Sequence, residues 1–218
     1  MPHLLHLDSS ADARTSVSRA LTAAFADAWR ARGADFTVTY RDLRTDAPPH
    51  LSDAALHWAP ALRPVVLPDA PDPDAAAVAW QDTLLAELTA ADVVLIGAPM
   101  YNWSIPSALK AWIDHIHVMG TTAPFGNDAQ PLAGRPAVIV TSSGDGGYGS
   151  GGGNEGKDHS VPPIELVLGT SLGMQVTVIG AEFTLAPLLD VLAERRPQAE
   201  ANLDAARIAL TGLAASLV

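Results

Sequence analysis

Between Asp92 and Pro99 the chain reads Val-Val-Leu-Ile-Gly-Ala, without a polar side chain in the run. A strand with one wet face alternates, whereas a strand covered on both faces is apolar throughout. The run is far shorter than the ~20 residues that a bilayer-spanning helix needs. Asp92–Ala98 therefore reads as the centre of a parallel sheet, and parallel neighbours require helical crossovers.

The rest of the chain supplies them. His3–Leu7, Phe36–Tyr40, Pro136–Thr141 and Gln175–Ala181 read as further strands. Ser16–Arg32 has helical spacing at Val17, Leu21, Ala24 and Ala28, with Ser and Thr to cap its start and Gly33 to end it. Asp74–Ala90 is a second helix, with Val78, Leu84, Leu85 and Leu88 toward the core. Pro106–Val118, Pro162–Gly173 and Pro197–Leu217 complete the set, proline fitting a first turn where no amide is missed. Right-handed crossovers then give a parallel α/β sheet with helices on both faces. With 218 residues, 48% of them apolar, one domain over residues 1–218 is expected.

Residues 42–74 break the rhythm. They carry seven prolines, at 48, 49, 60, 64, 68, 71 and 73, which argues against regular structure. A loop this long is usually functional, so it reads as an excursion that covers a neighbour or a dimer mate.

Composition removes several function classes. Net charge is −11 and the 13 basic residues are scattered, so no nucleic-acid partner is expected. Cysteine is absent, which excludes disulfides, thiolate nucleophiles and iron–sulfur clusters. There is no leader-like start and no membrane-length run, so a cytoplasmic protein without membrane contact is expected. His115 and His117 stand two apart on a helix and face different ways, and no HExxH or Cys/His cluster occurs; no metal is expected.

Ligands of such sheets bind beyond the carboxyl ends of the strands, where strand order switches. Three loops lie there. After the first strand, Ser9, Ser10, Thr15, Ser16 and Ser18 precede or open a helix, a setting in which free amides and hydroxyls attract an anion such as phosphate. Ordinary helix capping would use the same residue types. After the third strand, Met100-Tyr101-Asn102-Trp103 packs aromatic and amide groups between a buried strand and a helix, as a planar heterocycle with polar edges requires, although a core aromatic cluster would look similar. After the fourth strand comes Ser142-Ser143-Gly144-Asp145, then a glycine-rich run whose distal half, residues 149–157, reads as flexible. Gly144-x-Gly146-x-x-Gly149 and Gly151-x-x-x-x-Gly156-Lys157 imitate nucleotide-binding motifs. Neither has the strand–turn–helix context, and Asp158 stands where the second needs Ser or Thr.

The run from Pro99 to Asp114, Pro-Met-Tyr-Asn-Trp-Ser-Ile-Pro-Ser-Ala-Leu-Lys-Ala-Trp-Ile-Asp, resembles the central motif of the FMN-dependent NADH-azoreductase family, also described as NADH:quinone oxidoreductases. His3–Ser18 and Ile139–Gly144 are similar to its phosphate loop and third flavin loop. The resemblance implies a flavodoxin-like three-layer sandwich with strand order 2-1-3-4-5. It also implies a homodimer with FMN at the subunit interface and NADH (or NADPH) as co-substrate. Quinones or azo compounds, small and aromatic, would be the acceptors. Ser10, Ser16 and Ser18 would hold the FMN phosphate with the Val17 amide. Met100, Tyr101, Asn102 and Trp103 would line the ring, and Ser142, Ser143, Gly144 and Asp145 would contact its other edge. Phe125 would wall the acceptor site. No catalytic side chain is implied, and one shared binding face implies ping-pong kinetics. The chain departs from the family pattern at Ser143-Gly144-Asp145, where members often carry Arg, and in its longer glycine-rich loop. Two other readings remain: an electron-transfer flavodoxin or flavin-binding module without NADH turnover, and a non-redox α/β domain such as an esterase.

Overall fold

A computed structural model describes residues 1–126 and 130–217. Five strands, β1 (His3–Asp8), β2 (Thr37–Asp42), β3 (Val93–Pro99), β4 (Pro136–Ser142) and β5 (Gln175–Ala181), form one sheet. The order is β2-β1-β3-β4-β5 and every pairing is parallel. Every residue of β3 is buried, as its unbroken apolar sequence requires.

Helices cover both faces. α1 (Val17–Arg30) and α6 (Arg196–Ser216) bury Leu21, Phe25, Trp29, Ala206 and Leu210 on one. On the other, α3 (Ala75–Ala90) and α4 (Ser107–Ile116) bury Leu84, Leu88, Leu109 and Trp112. α1 starts where the sequence says it should: the Ser16 side chain accepts the Arg19 amide. Its last helical residue is Arg30, and Gly33 follows with φ +144°. Val78 and Leu85 of α3 are only half-buried, and Gln81 is buried instead.

Two segments differ from expectation. The proline-rich excursion contains a 3₁₀ turn, Ala54–His57, and one helical turn, α2 (Arg63–Val66), with Pro64 in the first turn where a missing amide costs nothing. Much of it covers its own chain: Leu56 is buried, the Ala59 amide donates to the Met119 carbonyl just past α4, and the Met119 amide donates to the His57 carbonyl. The segment read as a helix over 162–173 is one α turn, α5 (Val161–Ile164), running into a π-helix, Glu165–Ser171.

Gln81 ties the excursion down, its Nε2 donating to the carbonyls of Leu56 (2.7 Å) and His115 (3.1 Å). Gln81→Leu keeps the volume and leaves two buried carbonyls unpaired. The expected cost is about 2 kcal/mol, roughly 4–8 °C in Tm. Thermal unfolding measures it, and an unchanged Tm would show that the excursion is held by other means.

Candidate functional site

Between β1 and β3 the connections leave the sheet in opposite directions, which opens a crevice at the strands' carboxyl ends. A cleft of ≈ 330 Å³ lies there, lined by Ser10, Asp12, Thr15, Ser16, Val17, Pro99, Met100, Tyr101, Ser142, Gly144, Thr184, Leu185 and Leu188. The three loops singled out in the sequence thus meet in one place.

The first loop presents hydrogen-bond donors of the kind an anion requires. The first-turn amides of Val17 and Ser18 have no acceptor within their own helix, and the helix dipole adds partial positive charge. Ser10, Thr15 and Ser16 line the same space, with the Thr15 hydroxyl donating to the Asp12 carboxylate. Ser18 is buried, with its Oγ 3.1 Å from that of Ser16. Arg19 braces the loop from behind, donating from Nε (3.2 Å) and Nη2 (2.7 Å) to the Ser10 carbonyl. Burial works against its charge. The hydrogen bond to Asp42 and the nearby Asp8 carboxylate outweigh burial and raise its pKa. Asp8 is buried and accepts from Thr22 (2.8 Å) and Tyr40 (3.0 Å). Burial, with Asp8 beside it, pushes the Tyr40 phenol up to about 12, so it stays a donor at neutral pH.

The second loop is a tight hairpin. Tyr101 and Ser104 exchange backbone hydrogen bonds of 2.8 and 3.0 Å around Asn102 (φ 51°) and Trp103 (φ 62°), the two left-handed residues of a type I′ turn. A tryptophan in that region stores ~1 kcal/mol or more of strain, so the surroundings must hold it. They do: the His159 amide donates to the Trp103 carbonyl at 2.9 Å, and Ser104 Oγ to the His159 carbonyl at 3.1 Å. Tyr101 Oη reaches back to the first loop, accepting the Ala11 amide at 2.9 Å and lying 3.1 Å from Ser10 Oγ. Asn102 lines a neighbouring cleft with His50, Lys110 and Asp114. Trp103 is exposed.

In the third loop, Ser142 and Gly144 reach the cleft, whereas Ser143 is buried and donates from Oγ to the Asp145 carbonyl at 2.7 Å. The Asp145 carboxylate is spent on the Gly146 amide and on Asn154 Nδ2. The glycine-rich loop beyond is internally braced: Asn154 bonds Gly146 and Gly147, and Glu182 accepts the Gly147 amide at 3.1 Å. Phe125 lies outside the cleft, its ring edge-on to Trp58 at 5.8 Å. Of the residues chosen from sequence, seven line one cleft: Ser10, Ser16, Val17, Met100, Tyr101, Ser142 and Gly144.

Six cleft residues lie outside that set, among them Pro99, which stands beside Met100 in the central motif. Thr15 belonged to the hydroxyl cluster and could have been carried over. Asp12, Thr184, Leu185 and Leu188 carry no sequence signal; only the fold brings them here.

A family model for the flavodoxin-like fold matches residues 2–206, and the chain belongs to that family. It is 53% identical, over the full length of both chains, to the FMN-dependent NADH:quinone oxidoreductase of Kineococcus radiotolerans. A second such oxidoreductase, from Frankia casuarinae, is 41% identical over 92% of this chain and 95% of its own. The fold is similar to that of an FMN-dependent NADH-azoreductase from Bacillus anthracis solved in complex with FMN, with a TM-score of 0.77, 18% identity and 99% of each chain covered.

The donor set fits a phosphate monoester attached to a planar ring, with one opposing group. Asp12 is the acid in the wall; the Thr15 hydroxyl and the amides of Arg14 and Thr15 hold its carboxyl at about 2, so it is charged at neutral pH. In Asp12→Asn the amide oxygen can still accept those two amides while the charge is gone. FMN is expected to bind the variant roughly two- to fivefold more tightly at low salt, with the gain shrinking as salt screens it. Titration at two ionic strengths reads this, and equal affinities at low salt would show that the Asp12 charge does not reach the ligand.

Proposed function

We propose that this chain is an FMN-dependent oxidoreductase that transfers hydride from NADH (or NADPH) to quinones or azo compounds. The observation that carries the reading is the convergence of a hydroxyl-rich helix start, a strained aromatic hairpin and a glycine-containing loop on one cleft at the switch in strand order. The names of the similar Kineococcus and Frankia proteins point the same way.

Ser10, Ser16 and Ser18, with the Val17 amide, would hold the cofactor phosphate. Met100, Tyr101, Asn102 and Trp103 would line the ring, and Ser142, Ser143, Gly144 and Asp145 would meet its other edge. FMN, when bound, supplies the hydride chemistry. The protein's part is to orient the donor and the acceptor and to fix dipoles where charge develops. Asp12 is ionised at neutral pH and does not donate a proton there, and solvent can protonate a reduced quinone.

The active form would be a cytoplasmic homodimer, where the reductant NADH is available. Phe125 does not reach the cleft of its own chain, so its role as an acceptor wall requires a second subunit. Phe125→Ala is then expected to raise the acceptor KM about three- to tenfold while leaving FMN content unchanged. An unchanged KM and kcat removes Phe125 from the site.

The direct test is an anaerobic absorption spectrum before and after NADH. Flavin bands that bleach on addition, together with parallel double-reciprocal lines in steady state, are the expected result. Bands that neither NADH nor NADPH bleaches favour an electron-transfer flavodoxin instead. A preparation that retains no flavin after incubation with FMN contradicts the reading, and intersecting lines contradict the shared binding face.

A further inference from the structure

The sheet's last ladder step pairs Ser142 with Ala181, but the two chains do not part there. The Ser143 amide donates to the Ala181 carbonyl (3.1 Å), the Phe183 amide to Asp145 (3.2 Å), the Thr184 amide to Ser143 (3.0 Å) and the Leu185 amide to Gly144 (3.3 Å). Thr184 Oγ1 adds a bond of 3.0 Å to the Ser143 carbonyl. The segment after β5 is therefore fastened to the third loop residue by residue.

Phe183 marks where it turns. Its φ is +59°, a costly backbone state for a bulky residue, and its ring is buried against Gly146, where a Cβ would lie 2.3 Å from Phe183 Cζ. Ala186 is fully buried just beyond. Two fixed points thus hold Thr184 and Leu185 across the rim of the cleft, and the Leu188 amide, donating to the Leu185 carbonyl at 3.0 Å, ties the next turn to them. Between the two points, the Leu185 side chain lies over Gly144, with Cδ1 2.6 Å from the point a Cβ would occupy. Leu185 is 43% exposed and Leu188 70% exposed, and both line the cleft. Leucines held rigidly at a pocket rim have a use when something apolar covers them.

We propose that Leu185 and Leu188 are a fourth cofactor-contacting element, an apolar lip that covers bound FMN and slows its escape. The proposal rests on the FMN reading above. Backbone bonding fixes the lip to Ser143–Asp145, so the third loop and the lip meet the cofactor as one unit. The lip acts by excluding water from one side of the ligand and makes no polar bond to it, so it affects release more than encounter.

The test is the release rate of FMN, read by the recovery of free-flavin fluorescence on dilution, in the full-length wild type, Leu188→Ser and Val191→Ser. Val191 is 87% exposed and does not line the cleft, and neither substitution touches the core. Leu188→Ser is expected to release FMN about fivefold faster, as losing part of a leucine's cover implies. Val191→Ser should match wild type, and the apoproteins should unfold at the same temperature. Release from Leu188→Ser at the wild-type rate overturns the lip and leaves the FMN reading intact, as does equal acceleration in both variants. A wild type that takes up no FMN overturns the reading itself, and the lip with it.

Discussion

The placement of β3 beside β1, with β2 on the far side, is the constraint on which the rest of the molecule depends. It follows from burial: β3 is apolar throughout and must sit inside the sheet, whereas β2 ends in Tyr40, Arg41 and Asp42 and suits an edge. Once the order reverses there, the loops after β1, β3 and β4 end within reach of one another. Parallel register does the rest, placing Asp8 opposite Gly97 and Pro99 opposite Ser142. A Cβ on Gly97 would lie 2.6 Å from Asp8 Oδ1, so this strand can approach Asp8 only as glycine.

Beneath the cleft, charge is organised to hold backbone. Arg19 grips the Ser10 carbonyl, and Asp8, Asp42 and Tyr40 fix the guanidinium in turn. Tyr101 closes the arrangement from the other side through the Ala11 amide. The loop after β1 is thus shaped by the protein's own contacts, which lowers the ordering cost of binding a ligand there. The same economy explains the Trp103 turn, whose strain is carried by its bonds to His159, and the glycine-rich loop, which Asn154 and Glu182 hold closed.

Much of this was legible in the sequence, and the exceptions have physical reasons. Local rules located β3, the Ser16 cap and the hydroxyl-rich loop, because each depends on residues within a turn or two. The aromatic motif located the second loop, but not the left-handed φ of Trp103, which its neighbours impose. Glycine's permissiveness makes residues 149–157 read as flexible, and the bond between the neighbouring Gly147 and Glu182, 35 positions away, has no local signature. The excursion reads as irregular because of its seven prolines, yet Pro64 stands in a first turn, where a missing amide costs nothing. Leu185 and Leu188 were invisible for the same long-range reason.

In the proposed function, hydroxyls and helix-start amides hold a phosphate while the hairpin holds a ring. Calorimetric titration of the apoprotein with FMN and with riboflavin separates the two parts. One FMN per chain, with riboflavin weaker on the order of 100-fold, is the expected result, since charge-assisted hydrogen bonds to a phosphate are the strong ones. Riboflavin binding as tightly as FMN, or no binding of either, would contradict it.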